Sequence, residues 1–144
     1  MLIRIVLIVA LLAAASLAYA WWQRRQGRVR DVVREGELTA DVLGAPRGPH
    51  ATFVQFSTPL CSKCPGTARL LKGVAGERVG VTHLEIDASE RLDLAREHHI
   101  MRTPTTLVLD GTGVVVARMD GAPTVEQARE ALDAVGRRAS GYSI

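Results

Sequence analysis

The chain opens with a long apolar segment, and this segment confines any globular fold to the residues that follow it. From Ile5 to Trp22 there are 18 consecutive residues without a charge. As a helix they would extend about 27 Å at ~1.5 Å per residue, close to the thickness of the hydrocarbon core of a bilayer. The rest of the 144-residue chain has room for one domain of roughly 100 residues.

The segment has the features of a transmembrane anchor. Trp21 and Trp22 stand at its end, where aromatic rings suit the headgroup boundary. We therefore expect residues 5–22 to contact the lipid bilayer. A cleaved signal peptide is the alternative, because Arg4 precedes an apolar run that ends in the small-x-small pattern Ala18–Ala20.

Charge around the segment bears on the side of the membrane. The start carries Arg4, whereas the far side carries Arg24, Arg25, Arg28 and Arg30. The positive-inside bias favours a single-pass protein of the cell membrane with its folded domain in the cytoplasm. A lone first helix does not always follow the count, so an extracytoplasmic domain stays open.

Composition fits a folded domain without a nucleic-acid site. The chain is 47% hydrophobic and only 4% aromatic, so its core must consist mainly of aliphatic side chains. The net charge of +3 comes from arginines just after the apolar segment. Because the domain shows no basic stripe with stacking aromatics, we expect no nucleic-acid partner.

The Gly- and Pro-rich stretch 44–49 predicts a loop at the start of the compact part. We therefore divide the chain into four parts: an anchor or uncleaved signal (1–23), a juxtamembrane linker with a short helix leading into the domain (24–44), a folded domain (45–138) and a tail (139–144).

Within the domain, β-rich runs alternate with helical ones in the order β-α-β-α-β-β-α. Two crossover units predict parallel strands with helices on both faces, and the final hairpin adds an antiparallel edge, so the fold class is α/β with a mixed sheet. Ser89 is expected to cap the second helix, and Thr124 with Gln127 forms a capping box for the last. The predicted strands are 51–56, 79–87, 105–109 and 114–119, and the first two helices are 62–75 and 92–98.

Cys61 and Cys64 are the chain's two cysteines and fall where the first strand meets the first helix. A ring this small constrains little of the unfolded chain, so a bridge here is chemical rather than structural. A helix start stabilises an anion, which predicts a lowered pKa and a nucleophilic thiolate for Cys61. Cys64, one turn later, can attack a mixed disulfide and is expected to be the resolving thiol.

Two other interpretations of the pair remain. Both cysteines could be buried small hydrophobes. A zinc site would need two further ligands, and the one candidate pair, His98 and His99, lies 34 residues beyond Cys64. We interpret those histidines as surface residues near a helix end, and expect no metal and no cofactor beyond the redox-active Cys61–Cys64 disulfide.

Residues 51–136 resemble the thioredoxin superfamily at three landmarks. The strand 53–56 leads into Cys61 and Cys64, the segment 83–87 ends in Asp, and Thr103-Pro104-Thr105 matches the family's Thr-Pro dipeptide. The resemblance implies a thioredoxin fold behind one N-terminal transmembrane helix. It also implies a cis Pro104 facing the cysteines, and a Thr103 backbone that pairs with an extended substrate peptide.

The chain departs from standard thioredoxins around the pair. Lys63 lies between the cysteines, and we hypothesise that it lowers the pKa of Cys61. Gln55 stands where the family often has a buried acid, and His83 takes the place of that acid's lysine neighbour. A neutral amide cannot accept a proton, so we expect slower resolution, or a different base such as Glu85.

These features together favour a thiol-disulfide oxidoreductase that exchanges disulfides with protein partners, as a reductase if the domain faces the cytoplasm. It would need disulfide-containing protein substrates and an electron donor or acceptor. The alternatives are a Cu(I) chaperone that uses the same cysteine pair, and a tethered interaction domain with an incidental dithiol.

Overall fold

A computed structural model describes residues 1–25, 29–31 and 38–141 of the chain. Five helices and five strands follow one another in this part of the chain: α1 (Leu2–Arg25), β1 (Val29–Asp31), α2 (Ala40–Leu43), β2 (Ala51–Ser57), α3 (Cys64–Gly76), β3 (Val81–Asp87), α4 (Leu92–Glu97), β4 (Thr105–Asp110), β5 (Val115–Asp120) and α5 (Val125–Gly141).

The apolar N-terminal segment forms the helix α1. Residues 2–22 are long and apolar enough to cross a membrane, and none of this stretch is buried against the rest of the described protein. An N-terminal signal sequence satisfies the same criteria of length and composition. The structure therefore contains the expected apolar helix, which is compatible with either an anchor or a signal.

The strands form one mixed sheet in the order β1-β5-β4-β2-β3. β2 pairs in parallel with β3 and antiparallel with β4, while β5 pairs antiparallel with both β4 and β1. All seven residues of the inner strand β2 are buried. The predicted α/β class with a mixed sheet is confirmed.

One detail of the predicted topology is wrong, because β4 runs antiparallel to β2 although a helix precedes it. The cause is the length of α4. Its six residues extend only about 9 Å, whereas the seven-residue strand β3 extends about 23 Å. The chain cannot return along the sheet within α4, so it enters β4 at the edge where β3 ended.

Each face of the sheet buries a separate apolar cluster under its own pair of helices. On one face Phe53 packs with Leu71 of α3 and Leu132 of α5. On the other face Phe56 packs with Leu43 of α2 and Leu94 of α4. The helices therefore cover both faces, as the alternation of strands and helices predicts.

The sheet and core also include part of the segment assigned to the linker. Val29–Asp31 pairs with β5, and Leu38, whose N–H donates to the Gly113 carbonyl at 2.9 Å, is buried. Gly113 has a φ of +95°, in the left-handed region that favours glycine, and closes the β4–β5 hairpin. The folded unit therefore begins its packing before the predicted loop at 44–49.

The two predicted helix caps have opposite outcomes. At α5 the Thr124 N–H donates to Gln127 Oε1 at 2.9 Å and the Gln127 N–H donates to Thr124 Oγ1 at 3.2 Å, which confirms the capping box. The prediction that Ser89 caps α4 is wrong. Arg91 occupies the N-cap position without a side-chain cap, and the Ser89 N–H and hydroxyl both bond the Asp87 carboxylate.

Candidate active site

The cysteine pair lies at the sheet edge where β2 ends. α3 begins at Cys64, with Pro65 in its first turn, so Cys61 stands in the turn before the helix instead of in the helix. The Cys61 N–H donates to the Thr58 carbonyl at 3.1 Å, and the Cys64 N–H donates to the Cys61 carbonyl at 3.3 Å. This turn brings the two Cα atoms to 5.4 Å, and the two sulfurs form a disulfide.

The two cysteines differ in exposure. Cys64 is 2% exposed, whereas Cys61 is half-buried and lines an open groove of about 410 Å³. An incoming sulfur can therefore reach Cys61 but not Cys64. The groove is lined by Thr58, Leu60, Cys61, Ser62, Lys63, Arg102, Thr103, Pro104, Gly121 and Ala122.

The loop before β4 lines the same groove as Cys61. The Thr103–Pro104 peptide bond is cis, and Pro104 is buried. Thr103 Oγ1 lies 3.3 Å from Thr58 Oγ1, which joins this loop to the turn that carries the cysteines. The Gly121 N–H, at a backbone φ of +94°, donates to the Pro104 carbonyl at 2.8 Å. Loops from β2, β4 and β5 therefore meet around Cys61.

Arg118, which sequence reasoning missed, bonds the start of the loop before β4, residues 98–104, here called the proline loop. Its guanidinium donates to the carbonyls of His98 at 2.6 Å and His99 at 3.0 Å, and pairs with Asp120 at 2.8 Å. The pair is largely buried, with 18% and 15% of the two side chains exposed. The Arg-x-Asp spacing on a strand was the available signal, since residues two apart on a strand point to the same face.

The prediction that both histidines after α4 are surface residues is correct for His99 and wrong for His98. His98 is 4% exposed and caps the C-terminal end of α4, whereas His99 is exposed. The chain turns sharply at His99, where φ is +49°. Burial of His98 follows from this turn, which the helical periodicity does not reveal.

Lys63 and Arg102 are the two cationic residues of the groove. Both residues are exposed, and Lys63 occupies the N-cap position of α3 without a side-chain cap to that helix. A cation near Cys61 favours the anionic form of a thiol.

Gln55 lies beneath the cysteine pair and is fully buried. Its Nε2 donates to the Cys64 carbonyl at 3.0 Å and to Ser57 Oγ at 2.9 Å, while its Oε1 lies 3.0 Å from His83 Nε2. Because the amide nitrogen faces the Cys64 carbonyl, the amide oxygen must accept from His83. The His83 imidazole therefore carries a proton on Nε2.

Burial lowers the pKa of His83 below its ordinary value, and the nearby Lys72 cation lowers it further. Glu85 acts in the opposite direction. His83 Nδ1 is buried without a hydrogen-bond partner among the residues that the structure describes. A protonated Nδ1 would leave a donor unsatisfied there, so geometry and pKa both favour the neutral imidazole.

The other predicted acid–base and metal positions are less closely tied to the pair. Glu85 is exposed and stands opposite Gln55 in the β2–β3 register. Within residues 1–25, 29–31 and 38–141, no three His, Cys, Asp or Glu side chains are grouped so that they could hold a metal ion.

A disulfide with one accessible cysteine, set at a strand–helix junction in a groove, defines a thiol-disulfide oxidoreductase. A thioredoxin of Methanocaldococcus jannaschii is 35% identical to this chain over 78 residues, which are 54% of this chain and 86% of the relative. The chain belongs to the thioredoxin family. No protein-family model matches it.

Solved thioredoxin structures share the fold. Thioredoxin f from spinach chloroplast superposes with a TM-score of 0.57 at 26% identity, over 67% of this chain and 78% of that protein. A mutant thioredoxin from Halobacterium salinarum superposes with a TM-score of 0.56 at 16% identity, over 70% and 86%. The thioredoxin fold implied by the landmarks at 53–64, 83–87 and 103–105 is confirmed.

Proposed function

We propose that this protein is a membrane-anchored reductase of protein disulfides. The observation that carries the proposal is the unequal exposure of the two bonded cysteines, with Cys61 open to the groove and Cys64 buried. Attack at one sulfur and resolution by the other is the sequence of events that this asymmetry supports.

In the reducing direction, the Cys61 thiolate attacks one sulfur of a partner disulfide. A Cys61–partner bond forms, and the partner's other sulfur leaves as a thiolate. The Cys64 thiol then loses its proton, and its thiolate attacks Cys61, which forms the Cys61–Cys64 bond and releases the partner's second thiolate. Two electrons pass to the partner, and a dithiol donor must return two electrons to this chain.

Thr103 and Pro104 are proposed to hold the substrate. Thr103 and Pro104 both line the groove that Cys61 lines. An extended peptide beside the cysteine could pair there as an added strand. This pairing would hold the partner's sulfur in line with Cys61.

Cysteine variants test the proposal directly. Cys64→Ser should trap a mixed disulfide through Cys61 when the reduced chain meets insulin, because the resolving sulfur is absent. Cys61→Ser, the matched control, should trap nothing, because its remaining sulfur is buried. Gel analysis under non-reducing conditions measures both, and trapping through Cys64 instead would contradict the assigned roles.

Lys63 is proposed to stabilise the Cys61 thiolate. Lys63→Gln removes the cation while keeping most of the side-chain length, so the pKa of Cys61 should rise. The rate of alkylation against pH measures that pKa in the reduced chain. Arg102→Gln, which removes the other cation of the groove, is the control for a general effect of charge. An unchanged profile for Lys63→Gln would contradict this role.

The anchor belongs to the same proposal. We propose that residues 5–22 stay in the bilayer and that the domain at 45–138 faces the cytoplasm, where thiol donors favour reduction. The comparisons give no support to a copper chaperone, since the matched relative is a thioredoxin.

A further inference from the structure

The chain enters the sheet at the edge that carries the redox pair. β1 begins at Val29, which pairs with Met119 near the end of β5. The end of β5 stands beside the start of β4, where Thr105 pairs with both Asp120 and Phe56 of β2. One edge of the sheet, here called the cysteine edge, therefore holds the start of β1, the proline loop before β4 and the turn after β2 that carries the cysteines.

The covalent connection between this edge and the apolar helix is short. Three residues separate Arg25, the last residue of α1, from Val29. The four Cα steps between them span at most about 14 Å. β1 and β2 are separated by β5 and β4, which places the cysteine-bearing strand three spacings away, about 15 Å. The dithiol thus lies on the order of 30 Å or less from the end of α1.

The opposite edge of the sheet is farther from the connection. That edge holds the starts of β2 and β3, at Ala51 and Val81, and the end of β4 at Asp110. It lies one strand length beyond the cysteine edge, roughly 20 Å. With α1 in a bilayer, the short connection keeps the cysteine edge as the membrane-proximal edge.

The surface beside the groove is suited to a membrane interface. Leu60 is 97% exposed and Met101 is 89% exposed. Lys63 and Arg102 line the groove next to them, and none of the ten lining residues is acidic. Apolar and cationic side chains together favour the headgroup region of a membrane with anionic lipids.

We propose that the Cys61–Cys64 edge faces the bilayer, so that the physiological partner is an integral membrane protein whose reactive disulfide lies close to the membrane surface. The inference rests on the proposed function and on retention of α1 in the membrane. The transferred electrons and the bonds that form and break are those of the disulfide exchange given above. What the tether adds is a high local concentration of the dithiol near the bilayer and a low one far from it.

The test uses the full-length chain, reduced and freed of excess reductant, in liposomes that contain anionic lipid. Two single-span peptides in the same liposomes carry an identical fluorogenic disulfide. One holds it within about 10 Å of the headgroups, and the other holds it on a rigid 40-residue helical stalk, about 60 Å away. We expect reduction of the proximal disulfide to be at least ~10-fold faster.

A spacer variant supplies the matched comparison. A 40-residue helical spacer inserted between Gly27 and Arg28 lifts the domain without changing a residue of the groove. The preference should then shift toward the stalked disulfide. Equal rates for the two disulfides with the unmodified chain, or an unchanged preference with the spacer, would overturn the inference.

Soluble insulin separates this inference from the proposed function. Both forms of the chain should reduce insulin, since this soluble substrate needs no membrane anchor of its own. Reduction of insulin without a preference between the membrane disulfides would remove the inference alone. Failure of both forms to reduce insulin would remove the proposed function, and the inference with it.

Discussion

Gln55 places a neutral amide where a proton acceptor for Cys64 would be expected in this family. The amide is engaged on both sides, by the Cys64 carbonyl and by His83. It can orient the start of α3, but it cannot take the Cys64 proton. We therefore expect Gln55 to support the structure around the cysteine pair, and we expect Cys64 to resolve the mixed disulfide slowly.

Substitution at Gln55 tests this assignment. Gln55→Asp should speed release of the mixed disulfide several-fold near neutral pH, because a carboxylate can accept the Cys64 proton. Gln55→Asn, of the same length but neutral, should not. Stopped-flow measurement of the resolving step distinguishes them, and equal rates for the two variants would contradict the prediction.

His83 should make stability depend on pH. Its pKa is lowered in the folded state, first by burial and then by Lys72, so below its ordinary value of about 6.5 the unfolded chain binds more protons. The stabilisation is complete above pH ~6.5 and is lost as pH falls toward the folded pKa, at no more than about 1.4 kcal/mol per pH unit.

Urea unfolding of the full chain in detergent between pH 5 and 8 measures this effect. His83→Gln should remove the part of the pH dependence that belongs to this imidazole. Lys72→Gln, which removes the nearby cation but keeps the imidazole, should narrow the pH range over which stability is lost. Superimposable profiles for wild type and His83→Gln would argue against a buried neutral His83.

Among the secondary-structure elements, α4 and β5 together determine where the proline loop lies. α4 is too short to span the sheet, so β4 starts at the cysteine edge. Arg118 on β5 then bonds the carbonyls at the end of α4. The position of Pro104 thus depends on a contact between elements that lie 20 residues apart in the chain.

Arg118→Met should loosen that loop. Two carbonyls and the Asp120 carboxylate lose a partly buried partner, at a cost of roughly 2 kcal/mol in the free energy of unfolding. Amide hydrogen exchange at residues 99–103 should quicken. Arg118→Lys keeps the charge without the planar fork and should fall between wild type and Arg118→Met. Unchanged exchange in this loop would show that Arg118 does not position it.

For the molecule as a whole, the compartment of the domain determines the direction of electron flow. The arginines that follow Trp22 predict a cytoplasmic domain. Alkaline phosphatase fused after Ile144 should therefore be inactive in cells, and a fluorescent protein at the same point should fluoresce. Phosphatase activity would place the domain outside. Mass spectrometry of the N-terminal peptide of the expressed protein then distinguishes an intact anchor from cleavage after Ala20.

Local sequence was sufficient for several features of this protein. Each of three features lies within one continuous segment, which therefore carries the whole signal: the charge-free run, the Cys61–Cys64 spacing and the Thr124–Gln127 cap. The α/β alternation was also predictable, because strands and helices differ in the period of their apolar residues.

Tertiary structure alone decided the features that join distant segments. Val29 pairs with Met119, and Arg118 bonds the loop beside Pro104 from 20 residues away, so no short segment contains both partners of either contact. The burial of His98 likewise depends on what packs over it in the fold. These contacts form because the sheet brings strand ends to a common edge. The same edge holds Cys61, the proline loop and the connection to α1. The spacing of the cysteines therefore indicated the chemistry, whereas only the fold indicated where the dithiol lies relative to α1.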